Sequence, residues 1–295
     1  MLTWLKNNRQ LLLRGAGTLL AIVLLIVLLS QGGWEEVFAA LKRISLLNLA
    51  LALGCIIASR LFITARWHVL LHSGGVNIPF AQTASLVFTG LFANNFLPTT
   101  IGGDVVRLAG AMQMGYDRAT CLASIAADRV VNMLGMSLAA PLGLWQLAAG
   151  PLQALALAGF WQKGRSFALK TLQALALWLK KPSALALALT FALLHMLTSF
   201  SANYVLIHAL GQSLPLWKVI GLFSLAYFVS LVPISINGYG VQELTVTFLL
   251  SQFGGVSVPV SASVAVIHRL LMMLVSLPGA FTLPGVMAGM DKNRE

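Results

Sequence analysis

The chain has 295 residues, of which 58% are hydrophobic and only 9% are charged, and its mean hydropathy is +0.87. A soluble domain carries roughly 25% charged residues, so this composition excludes a water-soluble globular protein. Basic residues outnumber acidic ones by 19 to 8, which favours basic loops at the cytoplasmic leaflet rather than nucleic-acid binding. We predict an all-α polytopic membrane protein, with one transmembrane domain over residues 1–295.

The first part of the chain predicts two spans and a broken helical pair. Residues 19–29 follow a basic segment and are interpreted as a retained first helix, with a connection up to residue 45. The second span covers residues 46–71. Two short apolar pieces then follow at residues 80–97 and 105–122, separated by the Pro- and Gly-containing segment 98–104. Such an interruption predicts a broken or re-entrant pair of helices.

The rest of the chain repeats this alternation. A span at residues 120–138 is predicted to turn at 139–143 into another span at 144–160. Residues 161–181 predict a basic amphipathic helix on the membrane surface, or else a plain cytoplasmic loop helix. A span at 183–210, a second broken pair at 217–253 interrupted at 233–240, and a final span at 258–283 complete a prediction of about six full spans and two broken pairs.

Basic residues predict the orientation of these spans. With the N-terminus inside, twelve basic residues fall on the cytoplasmic side and three fall outside. Arg66 is counted among the twelve. Because inner loops carry the excess of Lys and Arg, we expect both termini to be cytoplasmic.

The two breaks resemble each other in sequence. Residues 95–107 align with residues 230–242, and a charged dipeptide follows each break, at Asp128-Arg129 and at His268-Arg269. The matched pairs are Pro98 with Pro233, Ile101 with Ile236, Gly103 with Gly238, and Val106 with Val241. This order predicts two repeats, at residues 46–138 and 183–288, joined by residues 139–182. Since the two pairs enter from opposite sides, the repeats are expected to be inverted. Ordinary spans merely kinked by Pro and Gly are the alternative.

Charged side chains lie beside both breaks or in the middle of spans, where each charge costs at least about 2.5–3.5 kcal/mol to insert. They are Arg60, Asp104, Arg107, Asp128, Arg129, Glu243, His268 and Arg269. We expect Asp128 and Arg129 each to meet a group from another helix, and the charges of the set to face one another or a hydrated cavity. A structural lattice of ion pairs is the alternative. Because Arg suits phosphate, the cavity is predicted to hold an anionic or zwitterionic headgroup.

The predicted substrate-binding residues come from both breaks and from the spans around them. They are Arg60, Asn94, Asn95, Thr99, Asp104, Arg107, Asp128, Arg129, Asn237, Tyr239, Glu243, His268 and Arg269. The residues predicted to break the helices are Pro98, Gly102, Gly103, Pro233, Gly238 and Gly240. The sequence has no nucleotide-binding loop and no metal-ligand motif, so we expect no enzyme activity, no cofactor and no metal.

The runs 94–107, 128–129 and 233–243 resemble the signature of the lysylphosphatidylglycerol synthase transmembrane-region family, MprF-type flippase-like integral membrane proteins. The resemblance covers nearly the whole chain. Fused members carry a C-terminal aminoacyl-transferase domain that adds lysine to phosphatidylglycerol, and this chain ends at Glu295. The resemblance therefore implies a stand-alone member without synthase activity. Gln242-Glu243 departs from the Arg-Glu pair expected there.

The resemblance implies translocation of a lipid or lipid-linked glycan across the bacterial cytoplasmic (inner) membrane. The headgroup is expected to pass through a polar cavity between the two broken helices. The expected partners are membrane lipids (phospholipid, glycolipid or polyprenyl-linked substrate), with a homo-oligomer or a membrane synthase as further partners and no nucleic acid. Two alternatives stay open. One is a non-transporting membrane partner of a glycolipid or cell-envelope synthesis enzyme, and the other is a small-solute secondary transporter.

Overall fold

The computed structural model describes residues 42–97, 102–148, 176–232 and 235–292, together with Val23 and Ala39. Regular structure within these ranges is entirely helical. In chain order the helices are α1 (Leu46–Gly74), α2 (Phe80–Asn94), α3 (Gly102–Gln113), α4 (Arg118–Ala148), α5 (Ala176–Leu179), α6 (Pro182–Ala209), α7 (Leu216–Ser230), α8 (Val241–Gln252), α9 (Val258–Ser276) and α10 (Gly279–Lys292). Nearly all of the predicted first span and most of the predicted basic helix lie outside the described residues.

Four of the described helices, α1, α4, α6 and α9, are long and apolar enough to cross a membrane. Each contains at least 18 residues in an apolar window with few charges, which is close to the length that spans the hydrocarbon core. The prediction of an all-α polytopic membrane protein is therefore confirmed. The spans predicted at residues 46–71 and 183–210 correspond to α1 and α6 within a few residues.

The turn predicted at residues 139–143 is wrong, because α4 continues through Pro141 as far as Ala148. A proline removes one backbone hydrogen bond from a helix, but tightly packed neighbouring helices tolerate this inside a membrane. The tight packing here is made by Gly143, where an added Cβ would overlap the Gly221 carbonyl oxygen of α7. The sequence signal of a Pro-Gly turn was thus overridden by packing.

Two other predicted boundaries also differ. The apolar piece at residues 105–122 is divided by a turn between α3 and α4, where Gly115 has a φ of 84°. Asp117 caps α4 there by accepting hydrogen bonds from the Thr120 amide and hydroxyl, each 2.7 Å long, and these bonds lower the pKa of Asp117. The final predicted span ends early, at Ser276, and α10 begins at Gly279.

The helices are interrupted at both predicted breaks. In the first break α2 ends at Asn94 and α3 begins at Gly102, and residues 98–101 between them lie outside the described part. In the second break α7 ends at Ser230 and α8 begins at Val241, after a short 3₁₀ turn at Ile236–Gly238. Residues 233–234 of this break are likewise outside the described part.

Helix lengths recur in the two halves of the chain. Helices α1 and α6 have 29 and 28 residues, α2 and α7 both have 15, and α3 and α8 both have 12. The glycines that end α1 and α6, Gly75 and Gly211, both have positive φ, and Pro79 and Pro215 precede α2 and α7. This recurrence supports a duplication. The repeat limits and the inversion remain predictions.

The two halves pack against each other most extensively through three helix pairs. Helices α1 and α6 form the most extensive contact between described helices, and it includes stacked Phe62 and Phe191 rings. Helix α7 packs on α4, and α10 packs on α2. The α2–α10 crossing is as close as the α4–α7 crossing, because a Cβ on Gly279 would overlap the Phe88 carbonyl oxygen. These crossings hold the first helix of each broken pair against the other half.

Candidate functional site

A polar cavity of about 250 Å³ lies between the two breaks, and we call it the main cavity. The end of α2 contributes two asparagines, and the second break contributes an asparagine, a glycine and a glutamine. Each of the long helices α1, α4 and α9 contributes one arginine. In chain order these lining residues are Arg60, Asn94, Asn95, Arg129, Asn237, Gly238, Gln242 and Arg269. The cavity therefore brings together polar groups from both halves of the chain.

An acidic residue in the first turn of the helix after each break pairs with an arginine of the next long helix. Arg129 on α4 forms an ion pair with Asp104 on α3. Arg269 on α9 pairs with Glu243 on α8, with 2.5 Å between Nε and Oε1. The partners are 25 and 26 residues apart in sequence. The two ion pairs are thus equivalent features of the two halves, and they place both arginines at the cavity wall.

At the start of the helix after each break, a backbone amide donates a hydrogen bond to a nearby side chain. The Asn94 side chain accepts a hydrogen bond of 2.7 Å from the Gly103 amide, and Glu243 accepts one of 2.7 Å from the Gly240 amide. The chain's own side chains therefore already bond these two amides. Asn237 and Gly238 have φ values of 48° and 73°, a conformation that asparagine and glycine adopt most readily.

Behind the cavity, Asp128 joins three helices. Its carboxylate lies 2.6 Å from Arg66 Nε of α1 and 3.3 Å from Arg107 NH2 of α3. Arg66 also donates to Asn132, one turn beyond Asp128, at 2.6 Å. Arg66, which was counted among the cytoplasmic basic residues, is buried in α1 against these groups. An arginine is tolerated at such a position when a carboxylate neutralises its charge.

Arg60 differs from the other arginines of the site. Its side chain is 6% exposed, and no hydrogen-bond or ion-pair partner for its guanidinium lies among the described residues. It lines the main cavity and also a second cavity of about 210 Å³, which we call the adjoining cavity. Tyr227, Ser230 and Gln242 line both cavities as well. Arg60 is therefore a buried cation at the boundary between the two cavities.

The adjoining cavity contains two histidines in addition to the shared residues. His195 Nδ1 of α6 lies 2.7 Å from the Ser59 hydroxyl of α1, so a hydrogen bond between these side chains joins the two helices. His268 of α9 is buried, and its Nε2 has no hydrogen-bond partner in the described part of the chain. Arg60 and His268 thus present polar atoms that a bound molecule can satisfy.

The family model described as Lysylphosphatidylglycerol synthase TM region matches residues 15–162 and 151–279. The chain belongs to this family. The resemblance read from residues 94–107 and 233–243 is thereby confirmed, and it associates the protein with lipid-related processes in a membrane. No curated protein matches the sequence.

The structure of this family member places the predicted site residues at different positions relative to the two cavities. Arg60, Asn94, Asn95, Arg129, Asn237 and Arg269 line the main cavity, and His268 lines the adjoining one. Asp104, Arg107, Asp128 and Glu243 lie behind the wall, where they form ion pairs. Tyr239 donates to the Asn95 carbonyl oxygen at 3.1 Å and lies against Arg269. Thr99, Pro98 and Pro233 are outside the described residues, and Gly102 starts α3.

Several lining residues are not in the predicted set. They are Tyr227, Ser230, Gln242 and Ser276. Ser230 and Gln242 lie at the ends of the aligned runs, so a more literal comparison of the two breaks would have found them. Tyr227 lies in the apolar helix α7, where the sequence gives no polar pattern. In the structure its hydroxyl accepts a hydrogen bond of 3.0 Å from Asn132 of α4.

Proposed function

We propose that the protein moves an amphiphilic lipid, or a lipid-linked sugar, between the leaflets of the bacterial cytoplasmic membrane. The headgroup passes through the main cavity between the two breaks, and its phosphate binds Arg60. The observation that carries this proposal is the guanidinium of Arg60, which has no partner among the described residues. A buried charge without a partner is costly, and a phosphate offers two oxygens to the planar fork of an arginine.

The charges around the cavities support an anionic cargo. Five arginines, Arg60, Arg66, Arg107, Arg129 and Arg269, face three carboxylates, Asp104, Asp128 and Glu243. The set therefore has an excess of two positive charges. The amide and hydroxyl groups of the cavity wall both donate and accept hydrogen bonds, so they suit the hydroxyl groups of a glycerol or sugar headgroup.

The two equivalent ion pairs suggest how such a headgroup passes. A phosphate that reaches Arg129 or Arg269 competes with Asp104 or Glu243 for the same guanidinium. Without its arginine partner, Asp104 or Glu243 holds the first turn of its helix less firmly. The turn of α3 lies behind the cavity wall, and the turn of α8 contributes Gln242 to that wall. Loosening one pair while the other stays closed opens the cavity toward one leaflet at a time, as alternating access requires.

The proposal can be tested in proteoliposomes that contain a phosphatidylglycerol labelled with a fluorophore on one acyl chain. Wild-type protein is expected to exchange the labelled lipid between leaflets, and a reductant that quenches only the outer leaflet measures the rate. Arg60→Gln is expected to lower this rate by about tenfold or more, because a hydrogen bond to a charged group contributes about 1.5–3 kcal/mol. Arg118→Gln, which makes the same change at an exposed position outside both cavities, is the matched control.

Equal rates for the wild type and Arg60→Gln would refute the proposed role of the cavity. An envelope defect in cells that lack the protein, together with no lipid exchange by the wild-type protein in proteoliposomes, would instead favour a non-transporting partner of a synthesis enzyme. Uptake of a small solute that is independent of lipid composition would favour a secondary transporter.

A further inference from the structure

Carboxylates are missing from the walls of both cavities, as far as the described residues form them. The chain has only eight acidic residues. Three of them, Asp104, Asp128 and Glu243, lie behind the wall, and each forms an ion pair with an arginine. A fourth, Asp117, caps α4 in the loop that precedes this helix. The side chains of Glu35, Glu36, Asp291 and Glu295 lie outside the described part. The undescribed residues within the two breaks, 98–101 and 233–234, include no acid.

The walls carry arginines instead. Arg129 and Arg269 are neutralised by the carboxylates behind them, whereas Arg60 keeps an uncompensated positive charge among the described groups. A cationic headgroup in this space would approach Arg60 and find no carboxylate in the described wall. Like charges brought together in a desolvated site cost several kcal/mol. The cavity is therefore unfavourable for an ammonium group.

This conclusion bears on the lipid from which the family takes its name. Lysine esterified to phosphatidylglycerol adds two ammonium groups to a headgroup with one phosphate, so the product is a net cation. We infer that the cavity of this chain selects a net anionic headgroup with neutral hydroxyl groups and rejects the lysine-charged lipid. The inference rests on the proposed function, since it concerns the same cavity, but it is a statement about binding and is measured without transport.

The test uses the full-length protein in nanodiscs of phosphatidylcholine that contain phosphatidylglycerol and lysylphosphatidylglycerol in equal amounts. Native mass spectrometry counts the lipids that stay bound to the protein. We expect phosphatidylglycerol to be retained about tenfold or more over the lysyl lipid, since a preference of 1.4 kcal/mol corresponds to a factor of ten. Equal retention, or preference for the lysyl lipid, would overturn the inference.

Two variants locate the preference in the cavity. Gln242→Glu adds a carboxylate to the wall of both cavities with almost no change in shape, and it is expected to reduce the preference for phosphatidylglycerol severalfold. Gln252→Glu adds the same charge at an exposed position of the same helix, α8, and is expected to leave the preference unchanged. An unchanged preference in Gln242→Glu would show that the cavity is not the selective site.

A further variant, Arg60→Gln, keeps the test decisive if Gln242→Glu does not fold. Arg60→Gln removes the uncompensated charge, so it should lower the ratio of bound phosphatidylglycerol to bound lysyl lipid to near one. A ratio as high as in the wild type would overturn the inference. A wild-type protein that retains phosphatidylglycerol selectively but does not exchange it between leaflets would support this inference while refuting the proposed function.

Discussion

At the scale of single residues, the two buried arginines of α1, Arg60 and Arg66, are expected to affect the stability of the protein in opposite directions. Arg66 is held between Asp128 and Asn132, whereas the guanidinium of Arg60, two turns earlier, lacks a partner among the described residues. Removing one member of a buried ion pair leaves an uncompensated charge, whereas removing an unpaired charge relieves one. The stability of the two variants therefore separates a structural arginine from a binding one.

We predict that Arg66→Gln strongly destabilises the protein. It leaves Asp128 with only the longer contact to Arg107, and breaking a buried pair typically costs about 3–5 kcal/mol. The fraction of detergent-solubilised protein that remains monodisperse after heating should fall at a lower temperature than in the wild type. Arg118→Gln at the exposed start of α4 serves as the control, and an unchanged midpoint for Arg66→Gln would contradict the structural role.

Arg60→Gln is predicted to behave in the opposite way. The variant should unfold at the same temperature as the wild type or at a higher one, although it loses lipid exchange, because the buried charge that it removes has no described counter-ion. Such a combination of gained stability and lost activity is typical of binding residues. A large loss of thermal stability in the same heating assay would show that Arg60 supports the fold.

At this scale the sequence predicted which charged residues are buried or line a cavity better than it predicted their partners. Intramembrane charges are rare enough to be recognised individually, so Arg60, Asp104, Asp128, Glu243 and Arg269 were all identified. Arg66 was missed because its partner, Asp128, is 62 residues away, and only the packing of α1 on α4 brings them together. The pairing of Arg129 with Asp104 likewise depends on tertiary geometry.

At the scale of helices, close crossings fix the first helix of each broken pair. Gly143 and Gly221 allow α4 to approach α7, and Gly279 allows α10 to approach α2. Small residues at membrane helix interfaces permit such approach of backbones. The two breaks were predictable from their Pro and Gly content. The continuity of α4 was not predictable, because Pro141 and Gly143 have the local sequence of a turn although Gly143 packs against α7 within a continuous helix.

We predict that Gly279→Ala destabilises the protein through the α2–α10 crossing. The new Cβ would overlap the Phe88 backbone, which cannot move without separating the helices, and overpacking of this kind costs about 1–3 kcal/mol. The heating assay should show a lower midpoint. Gly54→Ala in α1 is the matched control, because its Cβ meets no atom within 4 Å and alanine favours a helix over glycine. Equal midpoints for the two variants would argue against a close crossing.

At the scale of the whole molecule, the two halves present equivalent ion pairs to one cavity. If the halves are inverted, Asp104–Arg129 and Glu243–Arg269 control access from opposite sides of the membrane. The sequence predicted the duplication from four matched positions, and the matching helix lengths support it. The direction of each half relative to the bilayer depends on the membrane itself, which sequence spacing does not encode.

We predict that weakening one ion pair at a time opens the cavity to opposite sides. Ser230→Cys provides a reporter in the cavity wall once Cys55 and Cys121 have been replaced by alanine. In oriented vesicles, Asp104→Asn should make this cysteine reactive to an impermeant maleimide from one side, and Glu243→Gln from the other. Reaction from the same side in both variants would contradict the inverted arrangement.

The long contact between α1 and α6 has a consequence for the time course of synthesis. These helices begin 136 residues apart, at Leu46 and Pro182, so at about 5–20 residues per second the ribosome produces α1 roughly 7–27 s before its main partner. During the first part of that interval Arg66 lacks Asp128 as well. We expect the nascent α1 to depend on membrane insertion factors until α4 and α6 arrive, so pulse-labelled chains stopped before α4 should be extracted from membranes by alkali, whereas chains that include α6 should resist it.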